Sequence, residues 1–333
     1  MGSHSFDLLD RQLVTALQLN ARAPFSRIAA VLGVSDQTVA RRYARLRGEG
    51  SARVLGLSEP LALGEVRWHI RVQCVPDAAG ALAEALARRE DTTWVGLDSG
   101  GTGLSCVARS HPEQPEDSLL LQRLPRTPSV VTVNAHCVIH TFFGGARSMA
   151  VKSGSLTAEQ VRLLREERPV REPAAPPVLD AGDRRLLEAL AADGRAGLAE
   201  LAAATGWSAS TVRRRMDELQ DLGVLYFDLD LDWRIFGVTA PTLLWLSVAP
   251  AELAATGQAL AEHPEIGYAA ATTGPTNLHA VLLATDVQAV YTYLTTRIAA
   301  LPAVRQVETA PIMRTVKGPG PYLRPPTRAR RTT

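Results

Sequence analysis

Residues 10–50, DRQLVTALQLNARAPFSRIAAVLGVSDQTVARRYARLRGEG, and residues 183–223, DRRLLEALAADGRAGLAELAAATGWSASTVRRRMDELQDLG, are one pattern written twice. Asp10, Leu13, Leu17, Arg22, Gly33, Ser35, Thr38, Val39, Arg41, Arg42, Leu46 and Gly50 recur as Asp183, Leu186, Leu190, Arg195, Gly206, Ser208, Thr211, Val212, Arg214, Arg215, Leu219 and Gly223. The offset is a constant 173 residues, without a gap. An interval that long exceeds any solenoid period, so it marks two copies of a whole unit.

Within the unit, Leu9, Leu13, Ala16 and Leu17 form one buried helical stripe. A short second helix follows Pro24 and ends at Gly33. Ser35 is placed to cap a third helix that runs to about Arg47. Gly48-Glu49-Gly50 stops it, and residues 51–57 read as a short extended segment. Three helices, a tight turn and a strand predict a winged helix-turn-helix at 6–57 and again at 178–235.

Outward from each unit the periodicity changes to two. Trp68, Ile70, Val72 and Cys74 alternate with His69, Arg71 and Gln73, as in a half-buried strand. An alanine-rich helix (77–89), strands at 92–98 and 104–109, a helix at 116–124 and a strand at 130–141 complete a βαββαβ order at 64–143. The same order recurs at 238–317. The fold class is therefore α+β: two winged helix-turn-helix domains alternating with two ferredoxin-like domains. Between them, 144–177 holds a helix at 157–167, with Thr157 and Gln160 as a capping box, and then a stiff proline-rich run. Residues 318–333 read as a disordered basic tail, in which Arg324, Arg328, Arg330 and Arg331 are solvated or touch phosphate.

The bulk composition narrows the class. A chain of 333 residues with 46% hydrophobic content has room for several cores. Its net charge of +2 confines any nucleic-acid contact to local patches. Three cysteines give no disulfide framework and fit a reducing cytosol. No apolar run approaches a membrane span, and Met1–Ser5 has no signal-peptide character. Cys74, Cys106 and Cys137 share the core-facing side of their strands and read as small hydrophobes. His69, His136 and His140 fall on the opposite face. A metal role for them is weak, because the second copy offers only His279 there; no metal and no cofactor are expected.

The second helix of a helix-turn-helix enters the major groove, with its N-terminal residues at base edges. The candidates for double-stranded DNA are Ser35, Asp36, Gln37, Thr38, Arg41, Arg42 and Arg45. In the second copy they are Ser208, Ser210, Thr211, Arg213, Arg214 and Arg215. There Asp217, Glu218 and Asp221 follow on the helix and Asp228, Asp230 and Asp232 on the wing, where carboxylates repel phosphate. The first reader is thus expected to be the stronger. Arg41/Arg214 or Arg42/Arg215 could instead pair with acids on the first helix and hold the unit together; the spacing does not separate these roles.

The whole pattern, with TTGPTNLHAVLLATD (272–286) and LPAVRQVETAPIMRTVK (301–317), resembles the Lrp/AsnC (leucine-responsive, feast/famine) transcription factors over nearly the whole chain, twice. Typical members carry one copy and dimerise. The resemblance implies a small effector, commonly an amino acid, near a Thr-Gly turn followed by an acidic or amide residue. Thr273, Gly274, Thr276 and Asn277 match. Ser99, Gly100 and Thr102 of the first copy depart, because that turn ends in Gly103; both turns also read as ordinary hairpin connections. The expectation is a cytoplasmic, nucleoid-associated, effector-responsive regulator without enzymatic activity, whose chains associate further through the sensing domains. The alternatives are a siroheme decarboxylase-like enzyme and a ligand-binding unit that has lost DNA.

Overall fold

The computed structural model describes residues 6–111, 119, 123–145, 152–166, 168, 171 and 175–322. In the first reader, α1 (Leu8–Leu19), α2 (Phe25–Leu32) and α3 (Asp36–Gly48) lead into β1 (Ala52–Ser58). Asp7 and Asp10 form a capping box that starts α1, and Ser35 accepts the Thr38 N–H at 3.2 Å to start α3. The turn between α2 and α3 needs a left-handed residue, and Gly33 supplies it at φ 69°. Next come β2 (Val66–Cys74), α4 (Ala79–Ala87), β3 (Thr92–Asp98), β4 (Gly103–Ser110) and β5 (Val130–Phe143). The helix expected at 116–124 lies mostly outside the described residues, as does the arginine-rich end of the tail.

A short α5 (Ala158–Leu164) keeps the expected Thr157–Gln160 capping box but stops early, where Arg165 turns extended. The second reader repeats the first as α6 (Ala181–Ala192), α7 (Leu198–Thr205), α8 (Ala209–Asp221) and β6 (Leu225–Leu231). The second βαββαβ follows as β7 (Ala240–Val248), α9 (Leu253–Glu262), β8 (Ile266–Thr272), β9 (Leu278–Ala284), α10 (Val287–Tyr293) and β10 (Val304–Lys317).

The copies are not beads on a string. Strands β1 and β6 pair antiparallel, Ala52 opposite Leu231 and Ser58 opposite Leu225, so the two readers share one ribbon. Asp228 and Asp230 lie in this joint; Asp230 accepts from Arg53 at 2.9 Å. The sequence reading that these acids face DNA from the wing is therefore corrected. Arg22 donates to the Gly194 and Ala196 carbonyls at 2.6 and 3.0 Å. Its repeat partner Arg195 donates to the Ala21 and Ala23 carbonyls at the same two distances. The reciprocity is that of a two-fold interface, built here within one chain.

The sensing halves join just as closely. Their eight strands close in the order β10-β3-β4-β2-β5-β8-β9-β7. The two longest strands make the closure. β5 pairs with β2 up to Cys137 and with β8 from Val138, while β10 pairs with β7 up to Pro311 and with β3 from Ile312. Closure leaves no free edge in this sheet.

Five apolar clusters among the described residues hold this arrangement. Leu13, Leu17, Ile28, Val39 and Leu46 anchor the first reader, and Leu229 and Ile235 from the second copy complete that cluster. Leu186, Leu190, Leu201, Val212 and Leu219 anchor the second reader. Each such side chain contributes about 1.5–3 kcal/mol by leaving water. Cys106 is buried against Ile70 and Leu104, and burial pushes its thiol up to about 12, which leaves it a protonated packing residue. No helix is long and apolar enough to cross a membrane among the described residues.

Candidate functional site

The repeated arginines divide into two roles. Arg42 reaches Asp7 and the buried Asp10, both at 2.8 Å, and Arg45 reaches Asp10 at 2.7 Å. Arg215 grips the buried Asp183 with two bonds of 2.6 and 2.7 Å. Hydrogen bonds from Arg215 hold the Asp183 carboxyl below its ordinary range. These three arginines lock the third helix of each reader to its first, the alternative that the spacing alone left open for Arg42 and Arg215. Ser35, Thr38, Ser208 and Thr211 are engaged as helix caps.

Solvent is met instead by Asp36, Gln37 and Arg41 on α3, and by Ser210, Arg213 and Arg214 on α8. Gln37 and Arg41 sit one turn apart, as do Ser210 and Arg214. Asp36 accepts the neighbouring Gln37 N–H at 2.8 Å, and Arg214 reaches only Glu218, at 3.7 Å. A glutamine and an arginine free at this spacing can address adenine and guanine edges or phosphate.

The second candidate site is a cavity of about 500 Å³ at the seam between the sensing halves. Both hairpin turns reach it, through Ser99 and Gly103 from one copy and Gly274, Pro275 and Thr276 from the other. Gly100 and Thr102 stay in the first turn, where Thr102 donates its hydroxyl proton to the Ser99 carbonyl at 3.0 Å. Thr273 bridges the halves: its carbonyl accepts from His136 Nδ1 and its hydroxyl from the Cys137 N–H, both at 2.9 Å. Gly274 is required here, since it sits at φ +102° and a Cβ would lie 2.8 Å from His136 Nδ1. Asn277 points elsewhere. Its amide is spent on the Val248 N–H and C=O, both at 2.9 Å, so it braces the turn rather than offering a free amide.

The sequence reading missed the cavity's charged wall. Arg71, Asp98, Asn134, His136 and Glu308 line it, and Arg71 pairs with Glu308 at 2.8 Å across the two copies. Burial pushes the Asp98 carboxyl up, against hydrogen bonds from Ser99 and Ser105. The available signal was the alternation of β2, which puts His69, Arg71 and Gln73 on the face away from its helix. Beneath this wall, His69, His136 and His279 surround Trp245, whose ring stacks on His279 at 4.0 Å. The Trp245 indole N–H is buried without an acceptor among the described residues. Burial keeps the His69 imidazole well below its ordinary range and brings His279 down to about 3, so both are neutral at pH 7. His140 is exposed and does not join them; a bulge between Val138 and His140 shifts its face.

Comparison with known proteins supports this layout. The AsnC-type helix-turn-helix domain matches residues 6–47 and 179–220, and the Lrp/AsnC ligand binding domain matches residues 242–322. The HTH-type transcriptional regulator FL11 of Pyrococcus horikoshii is 26% identical over 140 residues, 42% of this chain and 92% of that protein. Escherichia coli AsnC superposes with a TM-score of 0.39 at 21% identity, covering 42% of this chain and 95% of its own. The siroheme decarboxylase NirDL superposes over 93% of this chain and 92% of its own, with a TM-score of 0.62 at 14% identity. That likeness is one of fold. It overturns the expectation of a chain without enzymatic activity, because the architecture matched end to end is that of an enzyme.

Proposed function

We propose that this chain, a member of the Lrp/AsnC family carrying two readers and two sensing halves, is a one-chain transcriptional regulator that binds an operator in double-stranded DNA. The observation that carries the reading is the pair of exposed stripes, Gln37–Arg41 and Ser210–Arg214, on helices fixed to each other by the β1–β6 ribbon and the Arg22/Arg195 bonds. Two recognition helices held in one geometry address two half-sites without waiting for subunits to meet. Because the two stripes differ in sequence, the operator need not be a palindrome.

The cavity at the seam is the effector site in this reading. Arg71 suits a carboxylate, and Asp98 and Glu308 suit an ammonium group, which together describe a small zwitterion such as an amino acid. A ligand carboxylate would compete with Glu308 for Arg71, and so act on a bond that links the two copies. The test begins with sequencing of duplex fragments retained from a genomic pool. A retained fragment is then titrated with each common amino acid. The expected result is a salt-sensitive complex whose affinity changes about fivefold or more with one of them. A pool without enrichment would sink the regulator reading.

A second reading rests on the buried imidazoles. His69, His136 and His279, with the Tyr268 hydroxyl 3.2 Å from His69 Nε2 and the Arg71 guanidinium over Trp245, form a set of imidazoles, neutral at His69 and His279, and a hydroxyl beside a cation suited to a carboxylate substrate. NirDL has been solved with an iron-uroporphyrin III analogue. If the shared fold extends to chemistry, iron-uroporphyrin III added to this protein shifts its absorption bands, and His136→Ala abolishes the shift. Unchanged spectra would remove this second reading.

A further inference from the structure

The second recognition helix has a charge problem that the first does not. At the 173-residue offset, Ala44, Arg45 and Gly48 of α3 are replaced by Asp217, Glu218 and Asp221 on α8. With Arg215 committed to Asp183, α8 presents two exposed guanidiniums, Arg213 and Arg214, the latter 3.7 Å from Glu218, against three carboxylates. The acids occupy the C-terminal half of the helix. With its N-terminal residues at base edges, that half runs out of the groove toward the phosphate backbone.

The connection between the copies alters this balance. It is seated on the first reader through α5, where Gln160 donates to the Val31 carbonyl at 3.2 Å and Arg27 donates to the Leu163 carbonyl at 2.7 Å. It then crosses to α8. Arg168 donates to Asp217 Oδ1 at 3.2 Å and to Asp221 Oδ1 at 3.2 Å, and the Arg171 N–H donates to the Asp221 carbonyl at 2.7 Å. The Arg171 side chain is exposed and borders an open groove of about 810 Å³ together with Ser210, Arg213, Arg214 and Asp217. Counting Arg168 and Arg171 together with Glu166, which lies 3.5 Å from Arg168, the surface changes from one net negative charge to neutral.

These ion pairs are half-exposed, a setting in which such pairs contribute little to folding. Their effect is on the surface. We infer that Arg168 and Arg171 are a DNA-backbone clamp supplied by the connection, taking the place of cations that the second recognition helix lacks. The first reader carries no carboxylate at the three equivalent positions, whereas the second offsets its own with cations from the tether. This assignment rests on the regulator reading above and makes the tether part of the DNA-contacting surface.

The experiment uses the full chain and a 30-base-pair duplex of mixed sequence, with affinity measured across a salt series. Each phosphate contact contributes about 0.9 to the slope of log affinity against log salt, or about eightfold in affinity at 0.1 M salt. Arg171→Ala, which breaks no ion pair among the described residues, should lose about that much affinity and slope without a change in melting temperature. Arg168→Ala should lose at least as much, and adding Asp217→Ala and Asp221→Ala to it should recover part of the loss. Wild-type affinity and slope in both single variants would overturn the clamp. So would a loss of affinity at unchanged slope accompanied by a lower melting temperature. A wild-type chain that binds no duplex would overturn the regulator reading itself, a result distinct from either of these.

Discussion

Arg195→Ala tests whether the two readers form one body. The side chain donates bonds of 2.6 and 3.0 Å to the Ala21 and Ala23 carbonyls of the other reader, and its guanidinium lies 4.4 Å over the Phe25 ring. Both acceptor residues are buried, so truncation leaves two carbonyls poorly solvated. Hydrogen bonds to a charged donor contribute about 1.5–3 kcal/mol each. Taking the lower end for a half-exposed arginine gives a loss of about 3 kcal/mol, roughly 150-fold in the folding equilibrium. Arg195→Lys keeps the charge but not the fork, and should lose about half as much. Urea unfolding followed by far-ultraviolet circular dichroism measures the change, and Arg22→Ala should match it by pseudo-symmetry. A midpoint for Arg195→Ala indistinguishable from wild type would refute the shared body and leave two independently folding readers.

Four further outcomes follow from the structure. Arg41→Ala should weaken DNA binding by about tenfold at unchanged melting temperature, in the range of a single base contact. Arg42→Ala should instead lower the melting temperature, by about 2–3 kcal/mol of stability, because the buried Asp10 keeps only Arg45; thermal unfolding beside gel-shift titration separates the two. Asp228 in the joint has its carboxyl pushed up to about 7 by burial, opposed by the Leu229 N–H and reinforced by Asp230. Its folded value lies above its unfolded one, so the stability linked to its protonation is complete below about pH 4 and is lost as pH rises through about 7. Asp228→Asn should flatten that loss and be more stable than wild type at pH 8 by at least about 1 kcal/mol, as denaturant midpoints at several pH values would reveal. Asn277→Ala should cost about 2 kcal/mol in calorimetry, because the Val248 N–H and C=O lose their partner.

The readers were legible because a helix-turn-helix is written locally: caps at Asp7 and Ser35, a left-handed glycine at 33 and an apolar stripe all lie within a few turns. The βαββαβ order was legible from alternation and turn residues. The pairing between copies was not, since nothing in β1 alone says that its partner is β6, in the other copy. Arg22 and Arg195 stood out in the repeat, yet a conserved spacing carries no information about which carbonyls they reach. The same limit hid the roles of Arg42, Arg45 and Arg215, which depend on where the first helix places its acid. At the cavity, the turns could be read but the Arg71–Glu308 pair could not, because it joins residues of the two copies, 237 positions apart. His140 was misplaced by a single bulge, which reverses the alternation that every strand argument assumes.

The closed sheet and the shared ribbon change how such a protein responds to its own abundance. A regulator that must first find a twin occupies DNA in proportion to the square of its concentration when scarce, and it can be captured by related subunits. Here the twin is covalently present. In the regulator reading, occupancy should therefore follow the first power of the number of chains per cell where single chains bind, and each half is free to diverge because a change in one is never imposed on the other.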